Sequence, residues 1–361
     1  GRDEGRANGR GASNAPDGEE EEATALLPSS IDQPTSKGVT ALMLAARGRH
    51  TGAVRMLLEA GADAALYSQS GTTALWMAAE EGAEECLLRS LVRAAPSTLS
   101  TSAKVQRRLD KVQGVTPLIA AADNGRAAVC RCLLSLGASA NEKKARGGTV
   151  LMAACKSGDL STVQLLVAHK ASVEAAEGDG RFEGATALHW ASRNGHSEVV
   201  RFLLQQEGCH TAATATWTET TPGKAKVTPL MLASEYGHEE VARSLLHTAT
   251  NARAHTEPHA RRRALGGGAV LDACDSNGWS ALMLACKHNH DGCVRALLQV
   301  DASVHMCANG PGGASALMIG SLQGSSEAVR TLLAYAEEES WKKESSSSFR
   351  HGSLQAEAAE V

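Results

Sequence analysis

Gly184-Ala-Thr-Ala-Leu-His-Trp-Ala-Ser-Arg-Asn-Gly-His-Ser-Glu-Val-Val-Arg-Phe-Leu-Leu204 is the stretch on which the reading of this 361-residue chain turns. It spells two short helices. Thr186 offers its hydroxyl to one of the backbone N–H groups that a helix start leaves without a partner. Leu188 and Ala191 follow at helical spacing, the small residue letting a neighbouring helix come close. Gly195 ends the helix, because glycine enters the left-handed conformation without the penalty a Cβ imposes. Val199, Val200, Leu203 and Leu204 make the apolar stripe of a second helix. Neither helix can bury both its faces alone. A neighbour stacked on each side does so, and each buried leucine then contributes about 1.5–3 kcal/mol.

The same punctuation recurs along the chain. Hydroxyl residues stand at Thr40, Thr73, Thr116, Thr149, Thr186, Thr228, Ser280 and Ser315. Two positions on, every copy has leucine: Leu42, Leu75, Leu118, Leu151, Leu188, Leu230, Leu282 and Leu317. Five positions after the hydroxyl comes Ala45, Ala78, Ala121, Ala154, Ala191, Ala233 or Ala285, with Gly320 in the last copy. Nine positions after it stands Gly82, Gly125, Gly158, Gly195, Gly237 or Gly324, with Arg49 and Asn289 as exceptions. Asparagine tolerates the left-handed region and fits; arginine there is strained. Pro117 and Pro229 follow their hydroxyls at the first helical position, where proline loses nothing.

This pattern resembles the ankyrin repeat, a unit of about 33 residues with the signature Thr-Pro-Leu-His-x-Ala. The intervals Thr40–Thr73 and Thr116–Thr149 match that period, and the resemblance covers about residues 38–336. It implies an all-α solenoid of helix-turn-helix units with hairpin loops, repeats starting near 38, 71, 114, 147, 184, 226, 278 and 313. Departures are local. Met43, Met152, Met231, Met283 and Met318 stand where the family usually has histidine, so the hydroxyl–imidazole bond is expected to be missing there. Gly320 and Ser321 weaken the first helix of copy eight, as in terminal capping repeats.

Extra residues fall after the second helices, at about 94–112, 175–183, 208–226 and 248–276, and their Gly, Thr, Ala and charges read as mobile loops. Residues 1–37, with the acidic run Glu19–Glu22, and residues 337–361, with Ser345–Ser348, read as disordered tails. Ala23–Leu27 reads as a remnant helix over the first repeat.

An aromatic content of 3 % is too small for a large conventional core, yet suffices for a thin one of Ala, Leu, Val and Met. The net charge of −4 gives no long-range pull on nucleic acid or an anionic membrane. No stretch reaches the roughly 18 apolar residues of a membrane helix. The N-terminal stretch lacks the apolar segment of a signal peptide, and nine cysteines, an odd number, favour a reduced compartment. A monomer in the cytoplasm, or the nucleus, is expected.

Phosphate-loop, nucleophile-elbow and zinc-protease signatures lack their required spacing here. Cys286, His288, His290 and Cys293 are metal-ligand types in one segment, but the register assigns Cys286 and Cys293 to the core and His290 to the recurrent Gly-His pair. Arg261–Arg263 reads as a solvated loop run rather than an import signal. Trp217 is either a partner anchor or a support for its own insertion. No cofactor is expected.

In the family this chain resembles, partners lie in the groove made by first-helix ends and hairpin tips. The resemblance carries that role to Arg47, Glu80, Glu81, Asp123, Asn124, Lys156, Ser157, Arg193, Asn194, Glu235, Tyr236, Trp279, Lys287 and His288. Gln323 completes the series. Signs alternate, which suits a polar protein or peptide. Tyr236 and Trp279 are the expected hot spots, and Trp190 is expected in the core. The implied function is a non-catalytic protein-binding module or scaffold. The alternatives are a regulatory arm of a larger enzyme or channel, and a metal-dependent enzyme built on the Cys/His cluster.

Overall fold

The computed structural model describes residues 31–106, 111–145, 147–178, 182–206, 216, 218–219, 226–254, 271–308 and 313–338. Within them each copy contributes an inner and an outer helix. Inner helices are Ala41–Arg47, Ala74–Glu81, Pro117–Asp123, Val150–Ser157, Ala187–Arg193, Pro229–Tyr236, Ala281–Lys287 and Ala316–Gln323. The outer helices are Thr51–Glu59, Glu85–Ala94, Ala127–Ser135, Leu160–Ala168, Ser197–Leu204, Glu239–Ala254, Asp291–Leu298 and 326–338. Each inner helix packs on the inner helices before and after it, and in copies one to seven the outer helices do the same. The result is two parallel layers of stacked helices, the all-α solenoid that the repeat pattern predicts.

The capping hydroxyls set each inner helix. In seven copies the side-chain oxygen accepts the N–H three residues on, at 3.2–3.4 Å. In copy five the Thr186 hydroxyl donates to His189 Nδ1 at 2.9 Å, and His189 Nε2 reaches the Val227 carbonyl of copy six at 3.2 Å. Since a carbonyl only accepts, the imidazole is the Nε2–H tautomer. Trp76 performs the same inter-copy task, its indole Nε1–H donating to the Val115 carbonyl at 3.0 Å. The expected loss at methionine copies is partly made good: Met152 Sδ accepts the Thr149 N–H at 3.4 Å.

The second leucine position is the centre of each layer, 3 % exposed or less from Leu42 to Leu282. At the helix-ending position all eight residues take positive φ, including Arg49 at 59° and Asn289 at 58°. Three of those glycines meet a second demand. His196, His238 and His290 reach back to the carbonyls of Lys156, Arg193 and Glu235 at 3.2, 3.0 and 3.1 Å. Their rings lie so close that a Cβ on Gly158, Gly195 or Gly237 would stand 2.4, 2.5 or 2.6 Å from the imidazole. Each Gly-His pair therefore ties one copy to the next.

Each of the four insertions contributes an ordered element among the described residues. Residues 94–112 contribute a 3-10 turn, Pro96–Leu99, and strand β1, Ala103–Gln106, which pairs antiparallel with β2, Lys111–Val115. The fourth insertion begins as helix, since the outer helix of copy six runs on to Ala254. Strand β3, Phe182–Glu183, pairs with β4, Thr218–Glu219, joining the connections before copies five and six. The acidic run, Ala23–Leu27, Trp217, Arg261–Arg263 and the serine run lie outside the described residues.

Candidate functional site

Inner-helix C-termini line up along one edge of the stack because each copy runs seven or eight helical residues from the same cap position. Residues seven and eight positions after each hydroxyl therefore form a row. Arg47 and Glu81 pair across copies one and two at 3.7 Å, both well exposed, and Glu80 sits beside them half-buried. An exposed pair of this kind is worth little in stability and stays available to a partner.

Several predicted contact residues have side chains already bonded to other parts of the stack. The Asp123 side chain is only 3 % exposed, with Lys144 Nζ at 4.0 Å and Lys156 Nζ at 3.9 Å, so its carboxylate anchors two cations. Asn124 Nδ2 donates to the Ala120 carbonyl at 2.8 Å, and the Ser157 hydroxyl lies 2.9 Å from the carbonyls of Ala122 and Ala154. Asn194 Nδ2 donates to the Lys156 carbonyl at 3.0 Å, crossing a copy boundary. These side chains position the row more than they offer it.

The centre of the row is different. Trp190 is half-buried rather than core, although the same position, four after the cap, is buried as Ala120, Ala153, Leu232, Leu284 and Ile319 in other copies. Phe182 of β3 meets it edge-on, centroids 5.0 Å apart. Lys156 Nζ lies 5.7 Å from the Trp190 ring, and the Arg193 guanidinium lies 5.9, 5.8 and 5.4 Å from Trp190, Phe182 and Tyr236. Tyr236 is 41 % exposed and stacks on His238 at 6.4 Å. Glu235 lies half-buried in the same row. Cations held over rings gain about 0.5–2 kcal/mol each and lose rotamer freedom before any partner arrives. Copies four to six thus carry a preorganised aromatic–cation column.

Copy seven repeats the motif on a smaller scale, Lys287 Nζ standing 5.0 Å from the half-buried Trp279 ring. His288, exposed, stacks on His290 at 6.0 Å. Cys286 and Cys293 are 0 % and 1 % exposed, and burial pushes their thiols up to about 12 and about 11. Buried thiols so hard to ionise are poor nucleophiles. Along with the His290 bond to Glu235, this makes the Cys/His segment a packing device.

Phe182 and Lys144 belong to the row and were not read from the sequence; their places depend on how the hairpins fold. On the outer-helix side a separate cleft of about 640 Å³ between copies two and three is lined by residues including Glu84, Glu85, Arg89, Arg126 and Arg131. Arg89 there is already held by Glu85 at 2.6 Å.

The family described as ankyrin repeats (three copies to a unit) matches residues 14–89, 60–177, 119–215, 151–257 and 252–343. A B-cell lymphoma 3 protein homolog of Mus musculus is 31 % identical over 164 residues, 44 % of this chain and 34 % of that protein. The E3 ubiquitin-protein ligase XBAT33 of Arabidopsis thaliana is 37 % identical over 89 residues, 25 % and 17 % of the two chains. A transient receptor potential cation channel subfamily A member 1 homolog of Caenorhabditis elegans is 31 % identical over 179 residues, 49 % and 14 %. The chain spans about a third or less of the length of these relatives. No helix among the described residues is long and apolar enough to cross a membrane. Repeat punctuation, stacked helix pairs and matches along the whole stack agree: the chain belongs to the ankyrin-repeat family.

Proposed function

We propose that this chain is a non-catalytic protein-binding module that holds a segment of another protein along its inner-helix row, with copies four to six as the anchor. The observation carrying the reading is the column of Lys156, Trp190, Arg193, Phe182 and Tyr236. Large aromatics and arginine dominate binding hot spots, and here they are clustered, accessible and held in place on a chain with only 3 % aromatics. The exposed Arg47–Glu81 pair and the Trp279–Lys287 pair flank it as rim contacts.

Selection of a displayed random-peptide library on the immobilised chain tests the column. Selected peptides are expected to lose at least about tenfold in affinity to R193A and to Y236A, and to bind R131A on the outer-helix side unchanged. Equal binding to all three variants would remove the column from the binding face.

A second reading, a regulatory arm within a larger enzyme or channel, is favoured by one observation: relatives of this stack include a ubiquitin ligase and a cation channel, of which it spans 17 % and 14 %. The complete transcript decides it. A catalytic or channel module in the same frame supports the arm; a transcript without one excludes it.

A further inference from the structure

Seven of the eight large apolar side chains that stand exposed among the described residues lie in the first and last copies: three in copy one, among them Leu44 and Met56, and four in copy eight, among them Leu317, Met318 and Leu333. A solenoid that ends in water carries a polar outer face on its terminal repeats. Neither end of the described stack does.

The two ends are open at different register positions. In copy eight Leu317, Met318 and Leu333 hold the places of Leu282, Met283 and Leu298, all 4 % exposed or less in copy seven. Copy one is closed at the first two of these places, where Leu42 and Met43 are buried. It is open instead at Leu44 and Met56, 52 % and 63 % exposed, the places of the buried Leu284 and Ala296 of copy seven. Copy eight is closed at the Leu44 place, with Ile319 buried. Within the described stack copy one has only a following neighbour and copy eight only a preceding one. Leu317, Met318 and Leu333 therefore face forward, and Leu44 and Met56 face backward. Together they are the two halves of the junction found between interior copies.

A polar tie is divided in the same way. Gly158, Gly195 and Gly237 are each overlaid by the histidine of the following copy, which bonds the carbonyl two residues before the glycine. Gly324 keeps the left-handed backbone, φ 71°, with nothing within 4 Å of the place a Cβ would take. His50 stands in copy one where His290 stands in copy seven. It is exposed, makes no side-chain cap bond and rests its ring against Gly48 of its own copy. Copy eight has the glycine without its histidine, and copy one has the histidine without its glycine.

We infer that copy eight of one molecule stacks on copy one of a second, burying Leu317, Met318 and Leu333 against Leu44 and Met56. His50 turns from Gly48 into the space over Gly324 and reaches the Leu322 carbonyl. The contact joins two different surfaces, so molecules add head to tail instead of closing as symmetric pairs. The inner-helix row runs on from one molecule into the next, and the monomer expected from the sequence is the dilute form alone.

Sedimentation velocity on the full chain tests this, with wild type and two variants whose changes fall on exposed side chains, L44D/M56D and M318D/L333D. The weight-average mass of wild type is expected to rise with concentration past that of a dimer, while each variant alone stays monomeric. An equimolar mixture of the two variants is expected to form a dimer and nothing larger, since it joins one intact copy eight to one intact copy one; that dimer also shows both variants to be folded. A wild type still monomeric at about 0.3 mM, where contacts of sub-millimolar affinity fill, would overturn the proposal. So would L44D/M56D associating as wild type does, because two copy-eight faces would then pair with each other, or a mixture that yields no dimer.

Discussion

Copies five and eight are written in the same punctuation and sit in different surroundings. Leu188 and Leu317 hold the same register position, yet one is 1 % exposed and the other 38 %. His189 is fully buried and bonded into copy six, whereas Met318, its counterpart, is 61 % exposed. Burial in this fold is conferred by the neighbour and not by the repeat itself. An identical substitution should therefore have unequal consequences along the stack, which is how the comparison can be broken or sharpened.

The largest contrast is expected from truncating the shared leucine. Leu188→Ala leaves a cavity between two copies and should cost about 2–5 kcal/mol, whereas Leu317→Ala should cost about 1 kcal/mol or less. Urea denaturation of both variants checks this; equal losses would mean that copy eight is covered as completely as copy five. A smaller contrast is expected at the helix-ending glycine. Gly195→Ala forces a Cβ into the left-handed region and against His238, with a cost of about 2–3 kcal/mol from strain and the displaced imidazole bond. Gly324→Ala meets nothing within 4 Å and should cost only the backbone strain, about 1 kcal/mol. Thermal melts of the pair separate the two contributions. The smallest effect lies at the first copy, where arginine occupies that same position at φ 59°. Arg49→Gly should raise stability by about 0.5–1 kcal/mol, the relieved strain exceeding the entropy glycine adds to the unfolded chain. A lower midpoint in the variant would show that the Arg49 side chain makes a contact worth more than the strain.

Most of the helical frame was legible because its signals are local. A hydroxyl, a leucine two positions on and a glycine nine positions on specify a capped and terminated helix without reference to anything distant. Arg49 was recognisable as strained and Asn289 as tolerated for the same reason. The geometry of the inner-helix row was only partly legible. Arg193 and Tyr236 follow from the register, but Asp123, Asn124, Ser157 and Asn194 sit in that register with side chains bonded to lysines or backbone carbonyls of the stack. Trp190 was misread as core because helical spacing gives a face and not the depth of what covers it.

The sequence alone determined the repeat, its caps and turns, and the small residues that let helices approach, since each follows from interactions within about ten residues. Only the tertiary structure decided that Phe182, Trp190, Arg193 and Tyr236 form one column, because Phe182 is placed by a strand pairing between two separate connections. It likewise decided that Asp123 lies between Lys144 and Lys156, and that the last copy ends on an open apolar face. Each of these depends on which neighbour is present, and a repeat pattern repeats whether or not a neighbour is there.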